Sequence, residues 1–334
     1  MKIWVIGTSV SVSKHGYAGI LAQIADPVPV INISMGDQTS IMGLIRVLMH
    51  IDKIEPGDVV IWEYPLLDIL LAGFFDPADT LTAARQAWQH ILARGAQIIV
   101  LASIAKRHLA KPSDQEEAIL REAESLEIKT ITTRDIFNLK GLSIDEREDE
   151  YSDDRHFLVG SFVHEAMAKM IFSTVNELSI SGPTTLSAPP SNGWTWIAGA
   201  DLFAPDDFDP VEVRNSFVSF PAVRPRMNRK AALPEGSRLI CVAISATRES
   251  GSIWCGHSLC APASTRLSPA NSKLPMLFRT TRVPCVRSRI TTIEVAPTHS
   301  FTAHSWADYG LNHVSSPAPV EIAGVLIEPK NLIA

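Results

Sequence analysis

Along the first half of the chain, short β-branched apolar runs alternate with longer segments in which apolar residues recur at helical spacing. Lys2–Ile6, Pro29–Ile33, Asp58–Trp62, Gln97–Leu101 and Lys129–Thr132 are apolar nearly throughout and bounded by Gly, Pro, Asp or Ser. Such runs are predicted to be strands buried on both faces of a parallel sheet. Between them, Thr39–His50 carries Ile41, Leu44, Ile45 and Leu48 on one face, and Asp79–Ala93 does the same with Leu81, Ala84, Trp88, Ile91 and Leu92. Gly95 follows the second of these as a predicted C-cap. Pro112–Ser125 reads as an acidic helix, and Gly160–Val175 as a closing helix with Phe162, Met167, Met170 and Ile171 toward one face. Strand and helix repeated five times imply a flavodoxin-like α/β three-layer sandwich on a five-stranded parallel sheet, with right-handed crossovers. Substrate is expected at the carboxyl ends of its strands.

The pattern then breaks. Residues 179–193 form a Pro/Ser/Gly/Thr stretch with no period, which reads as a linker. Beyond it convincing helices vanish, and short β-rich runs separated by Pro, Gly and Asn take over: Trp194–Ile197, Ser216–Phe220, Leu239–Ile244, Ser252–Cys255, Met276–Arg279, Ile290–Val295, Ser300–His304 and Val320–Ile327. These predict an all-β sandwich, jelly-roll-like, over 194–334, after an α/β domain over 1–178. The aspartate-rich stretch Asp201–Asp209 lacks the EF-hand spacing and is expected to be a solvated loop.

Composition narrows the function classes. In 334 residues, 46% are apolar and 20% charged, which suits folded, soluble domains. A net charge of −6 with no basic run opposes a nucleic-acid partner. No apolar stretch is long enough to span a bilayer, and Gly7-Thr8-Ser9 interrupts the apolar start before a signal-peptide core is complete, so the expected compartment is the cytoplasm. Cys241, Cys255, Cys260 and Cys285 all fall in the last third and are expected to be free thiols. Cys255, His257 and Cys260 have no fourth ligand at zinc-like spacing, so no metal is expected. Trp194, Trp196, Trp254 and Trp306 suit a β core better than a sugar-stacking platform.

Two segments carry candidate chemistry. Gly7-Thr8-Ser9 follows the first strand directly, which sets a hydroxyl at the carboxyl edge of the sheet beside free backbone N–H groups; the same residues also suit a turn with a helix N-cap. Asp153-Asp154-Arg155-His156 precedes the last helix, and an Asp three residues before a His can hold the imidazole by Nδ1–H. Those residues equally suit a helix cap followed by a surface histidine. Lys106, Arg107 and His108, past the fourth strand, either form a solvated basic turn or meet an anionic substrate, and His15 reads as a surface residue.

Taken together, a serine after the first strand and Asp-x-x-His before the last helix resemble the SGNH (GDSL-like) hydrolase family over about residues 1–178. Gly7-Thr8-Ser9 matches its first block, with Thr8 where Asp is commonest. Asn32-Ile33-Ser34-Met35-Gly36-Asp37 stands where the second block is found. The resemblance implies Ser9 as nucleophile, His156 as base and Asp153 as acid, with an oxyanion hole from the backbone N–H groups of Ser9 and Gly36 and no cofactor. The implied activity is a serine esterase, or acyltransferase, acting on a small ester, O-acetyl on a saccharide above all.

The third block departs from the family. Its Gly-x-Asn-Asp is replaced by Glu63-Tyr64-Pro65-Leu66-Leu67-Asp68, which aligns Leu67 with the oxyanion-hole asparagine. A missing donor typically costs about 10²–10³ in turnover. Either the domain is a slow enzyme that still uses Ser9 and His156, or the third block has another register, or a neighbour such as Asn32, Gln38 or Tyr64 supplies the donor, or the domain binds an acylated glycan or a protein partner without turning it over. Asn32, Asp37, Glu63, Tyr64 and Leu67 are the expected pocket residues, with Glu63 expected to be satisfied by backbone amides. The oligomeric state stays open.

Overall fold

The computed structural model describes residues 1–36, 38–72, 76–181, 193–214, 219–226, 230–234, 237–245, 252–255, 258–260, 279–282, 292–296 and 321–329. The chain divides into two compact units, Met1–Ser191 and Asn192–Ala334.

The first unit runs β1 (Ile3–Gly7), α1 (Ser9–Val12), α2 (Tyr17–Ile24), β2 (Val30–Asn32), α3 (Ser40–His50), β3 (Val59–Glu63), α4 (Pro65–Leu70), α5 (Pro77–Ala93), β4 (Gln97–Ala102), α6 (Asp114–Ser125), β5 (Lys129–Thr132), α7 (Thr133–Leu139), α8 (Ile144–Glu148) and α9 (Phe162–Ser181). The five strands are all parallel, in the order β2-β1-β3-β4-β5. That is the flavodoxin-like order, which opens a crevice at the carboxyl ends of the central strands.

Alternation along the strands decides what each face meets. Ile3, Val5, Val59, Ile61, Ile99, Leu101 and Ile131 form one core with Tyr17 and Leu21 of α2 and with Val163, Met167 and Ile171 of α9. On the opposite face Trp62 packs edge-on against Trp88 of α5, with ring centroids 6.3 Å apart. There α3 lies so close that a Cβ on Gly43 would fall 2.4 Å from the Trp62 ring and 2.6 Å from that of Tyr64. The three-layer prediction therefore holds.

Helix boundaries follow local chemistry. Asp76 caps α5, with Pro77 at its first position, and Ser113 caps α6, each accepting a backbone N–H. Ser143 and Glu146 close a capping box on α8. One expectation needs correction: α9 runs through Ser181, so residues 179–181 belong to its last turn and not to a linker. Residues 182–192 lie outside the described set.

The second unit contains β6 (Thr195–Ala198), α10 (Gly199–Leu202), β7 (Phe208–Arg214), β8 (Ser219–Pro225), β9 (Lys230–Ala232), β10 (Arg238–Ser245), β11 (Ser252–Cys255), β12 (Ser258–Cys260), β13 (Arg279–Arg282), β14 (Thr292–Ala296) and β15 (Glu321–Glu328). The strands pair antiparallel in two sheets, one ordered β13-β10-β15-β8-β7 with β6 also on β15, the other β12-β11-β14-β9. Asp201–Asp209 is not the open loop expected of it. It holds α10, a 3-10 turn at Pro205–Asp207 and the start of β7, where Phe208 pairs with Pro225. Trp194 and Cys241 are buried, and Cys241 is a free thiol. Trp196 lies against Gly324 of β15. The predicted strand Ser300–His304, and His257, Cys285 and Trp306, lie outside the described residues.

Candidate active site

Ser9 is the first residue of α1, half-buried, and placed there by the end of β1. Gly7 pairs with Glu63, the last residue of β3. A Cβ on Gly7 would sit 2.5 Å from Ser11 Oγ and 2.7 Å from Glu63 Cβ, so only glycine leaves room for that carboxyl group. Glu63 Oε2 accepts the Thr8 backbone N–H at 2.9 Å, the Thr8 hydroxyl at 2.8 Å and the Ser11 hydroxyl at 2.9 Å. Ser11 has a single proton and gives it to Glu63, so the Tyr17 hydroxyl, 2.7 Å away, donates to Ser11 Oγ. Glu63 Oε1 has no hydrogen-bond partner. Burial pushes the Glu63 carboxyl up to about 7 against the pull of its hydrogen bonds, which favour the anion. Burial first, and then the Glu63 charge, hold the Tyr17 hydroxyl well above its ordinary range.

His156 reaches Ser9 from 147 residues away: its Nε2 lies 2.7 Å from Ser9 Oγ. On the other side of the ring Nδ1 is 2.8 Å from Asp153 Oδ2. Asp153 Oδ1 accepts the backbone N–H groups of Arg155 at 2.7 Å and His156 at 2.8 Å. Burial alone would raise Asp153, but the bonds from the His156 ring and the two amides hold it below the usual carboxylate range. An ionised carboxylate only accepts, so Nδ1 carries the proton and the neutral ring offers Nε2 to the serine hydroxyl.

The loop bearing these groups is tied to the segment after β4. Tyr151 donates its hydroxyl to the Ile104 carbonyl at 2.6 Å, and its ring packs against Phe157 with centroids 4.5 Å apart. Lys106 N–H donates to the Asp154 carbonyl at 2.9 Å and Arg107 N–H to Asp154 Oδ1 at 3.1 Å. The Lys106 and Arg107 side chains pair with Glu148 at 3.5 Å and Asp154 at 3.4 Å. This basic turn thus holds the loop. His15 is exposed.

Gly36 lies beside the serine, where a Cβ would approach Ser9 Cβ to 3.6 Å. Asn32 is exposed, but its amide donates to the Ser11 carbonyl at 2.7 Å and its oxygen accepts the Ser34 N–H at 3.0 Å. Glu63, Tyr64 and Leu67 are fully buried. Glu63 is satisfied by one amide and two hydroxyls in place of the backbone amides expected. Tyr64 packs on Gly43 of α3, and its hydroxyl has no hydrogen-bond partner. Leu67 lies inside α4, because Pro65 starts a helix directly after β3. Gln38 is buried. Asp37 lies outside the described residues.

Sequence reasoning gave no such role to Thr8 or Asp154 and passed over Ser11, Tyr17 and Asp68. Asp68 Oδ1 and Oδ2 accept the backbone N–H and hydroxyl of Ser40 at 2.8 and 2.5 Å, which binds α4 to the first turn of α3. Burial, and to a lesser degree the Glu63 charge, push Asp68 up to about 7. Among the described residues no cluster of His, Cys, Asp or Glu is arranged to hold a metal ion, and no helix is long and apolar enough to cross a membrane.

No family model and no curated relative matches the sequence. Solved structures do. Protein YxiM from Bacillus subtilis is 17% identical over 54% of this chain and 57% of its own, with a TM-score of 0.44. The psychrotrophic esterase EstA from Pseudoalteromonas sp. is 17% identical over 52% of this chain and 98% of its own, with a TM-score of 0.42. Axe2, an acetylxylan esterase from Geobacillus stearothermophilus, is 16% identical over 56% of this chain and 97% of its own, with a TM-score of 0.41.

Proposed function

We propose that the first unit is a serine ester hydrolase acting through an acyl-enzyme on Ser9. The single observation that supports this best is the unbroken relay Ser9 Oγ to His156 Nε2 at 2.7 Å and His156 Nδ1 to Asp153 Oδ2 at 2.8 Å. Both distances suit proton transfer, and the serine is half-exposed at the carboxyl edge of the sheet.

In the proposed cycle Ser9 Oγ attacks the ester carbonyl carbon while its proton passes to His156 Nε2. The developing oxyanion is received by the backbone N–H groups of Ser9 and Gly36. Asp153 stabilises the imidazolium without taking its proton. The ester C–O bond then breaks, and His156 returns the proton to the departing alcohol oxygen. Water attacks the acyl carbon while His156 Nε2 accepts its proton; the acyl C–Oγ bond breaks, the carboxylic acid leaves, and His156 returns the proton to Ser9 Oγ, whereas a second alcohol in place of water gives acyl transfer. The finer proposal, a small acyl group such as O-acetyl on a saccharide, follows the resemblance of the sequence blocks.

A fluorophosphonate probe tests the nucleophile directly, with the adduct mapped by mass spectrometry. Labelling of Ser9 that disappears in Ser9→Ala, with acetate release from an acetylated oligosaccharide lost in parallel, is the expected result. The burial of Leu67 and the engagement of the Asn32 amide favour a second reading, a domain that binds such a glycan without turning it over. Retention of an acetylated oligosaccharide, unhydrolysed and unaffected by Ser9→Ala, in a protein that takes up no probe would establish that reading and end the first.

A further inference from the structure

We infer that Glu63 is a positioning residue for Ser9, a buried clamp that sets where the serine hydroxyl stands. The inference rests on the reading of Ser9 as nucleophile and adds a component that the relay itself does not contain. Ser9 lies between two residues, Thr8 and Ser11, that are bound to one carboxylate oxygen through three hydrogen bonds of 2.8–2.9 Å. The carboxyl group comes from the neighbouring strand, 55 positions away, and is fully buried. The first turn of α1 is therefore fastened to β3, not merely to its own strand.

A four-residue helix has no stability of its own, and Thr8 makes no side-chain cap on it. Glu63 replaces that missing cap by taking the Thr8 and Ser11 donors together. The cradle is shaped for this group: Gly7 leaves the space the carboxyl fills, and Tyr17 completes the chain of donors by giving its proton to Ser11. All three donors converge on Oε2 and none on Oε1. A glutamine can therefore keep an acceptor for all three donors, with its carbonyl oxygen at the Oε2 position and its NH2 at the cost of burial beside no partner. A leucine of similar size cannot.

The test compares Glu63→Leu, Glu63→Gln and Thr8→Val with the parent by three readouts: the rate of fluorophosphonate labelling of Ser9, kcat and KM on an acetyl ester, and exchange protection of the Thr8 amide. Displacing a nucleophile by about 1 Å can cost on the order of 10²-fold. Glu63→Leu is expected to slow labelling and lower kcat by roughly 10²-fold with KM within about twofold, and to lose Thr8 protection. Glu63→Gln is expected to restore both to within about threefold, a rescue that a general loss of packing would not give. Where Glu63→Leu fails to fold, Thr8→Val removes one of the three donors without loss of volume, and labelling about fivefold slower is the expected result. Parent-like labelling in a folded Glu63→Leu, or in Thr8→Val when the leucine variant does not fold, overturns the clamp. Thr8 protection unchanged by Glu63→Leu overturns it too. A parent that never labels, yet whose Thr8 amide loses protection in Glu63→Leu, upholds the clamp and ends the nucleophile reading.

Discussion

The two ends of the relay are held in opposite ways. The serine turn is fastened from beneath by Glu63, wholly out of water, through short bonds to Thr8 and Ser11. The histidine loop is anchored in the core at Tyr151 and Phe157, but around the imidazole it is fastened from outside, by Asp153 and Asp154 with side chains about half exposed, through backbone amides and a surface pairing with Arg107. A buried carboxyl is costly to charge and rigid once satisfied, whereas an exposed one is easily charged and its ion pairs are worth little. Ser9 is thus built into the core, and the His156 ring is held at its rim.

That contrast can be broken in stages. Asp153→Asn is expected to have the largest effect, a loss of roughly 10³–10⁴ in kcat with the fold intact, because the imidazole loses the acceptor that fixes its tautomer; steady-state rates beside a thermal melt check it. Next comes acid and base. Glu63, raised from 4.5 to about 7, keeps its proton in the folded state where the unfolded chain has lost it. Stability from this group is therefore full below about 4.5 and falls as pH rises through about 7, by on the order of 3 kcal/mol. Asp68 adds a slope of the same sign, while Asp153, lowered on folding, contributes the opposite one, lost as pH falls. Urea unfolding of Glu63→Gln between pH 4 and 8 should show a smaller decline than the parent's; a slope equal to the parent's would contradict the assignment.

Smaller changes sharpen the comparison. Gly7→Ala forces a methyl into the space of Ser11 Oγ and Glu63, and is expected to cost about 1–3 kcal/mol in a denaturant melt. Asp154→Ala removes one amide acceptor and one surface pair on the other side, for which about 1 kcal/mol is expected, with kcat reduced severalfold. Arg107→Ala, which leaves the amide bond in place, should cost less than about 0.5 kcal/mol, and that small effect should vanish in high salt. A large Arg107 effect would show that the rim is not the weakly held end.

The fold was legible where periodicity is strong. Strands such as Gln97–Ala102, apolar throughout and bracketed by turn residues, agree with expectation to within a residue or so. Short helices escaped for physical reasons: α4 has six residues and α8 five, too few to display a period, and α2 follows a Ser-Lys-His-Gly stretch that reads as loop. Asp201–Asp209 misled because its aspartates suggest solvent while Phe208 and Val211 pair into β7. At the site, spacing made Ser9, Asp153 and His156 candidates, since short-range order (strand to turn, turn to helix) is written locally, and the resemblance of the sequence blocks to a known family set them apart from turn and cap residues. Glu63 drew notice at the end of the third strand, but its meeting with Ser11 and Tyr17 was illegible because it depends on register between β1 and β3, which no local pattern records. Leu67 shows the reverse: block alignment put it at the rim, and Pro65 turned the chain into a helix that buries it.

The strand order carries a consequence in time. Ser9 and its clamp come from adjacent central strands within the first 63 residues, but the imidazole lies 147 residues beyond the serine and its loop is pinned to the turn after β4. On a ribosome adding about 5–20 residues per second, roughly 7–30 s separate the emergence of the hydroxyl from that of its base. On the proposed reading a nascent polypeptide therefore carries a serine without its imidazole partner, and a chain arrested before Tyr151 is expected to ignore the phosphonate reagent that is expected to label the finished protein.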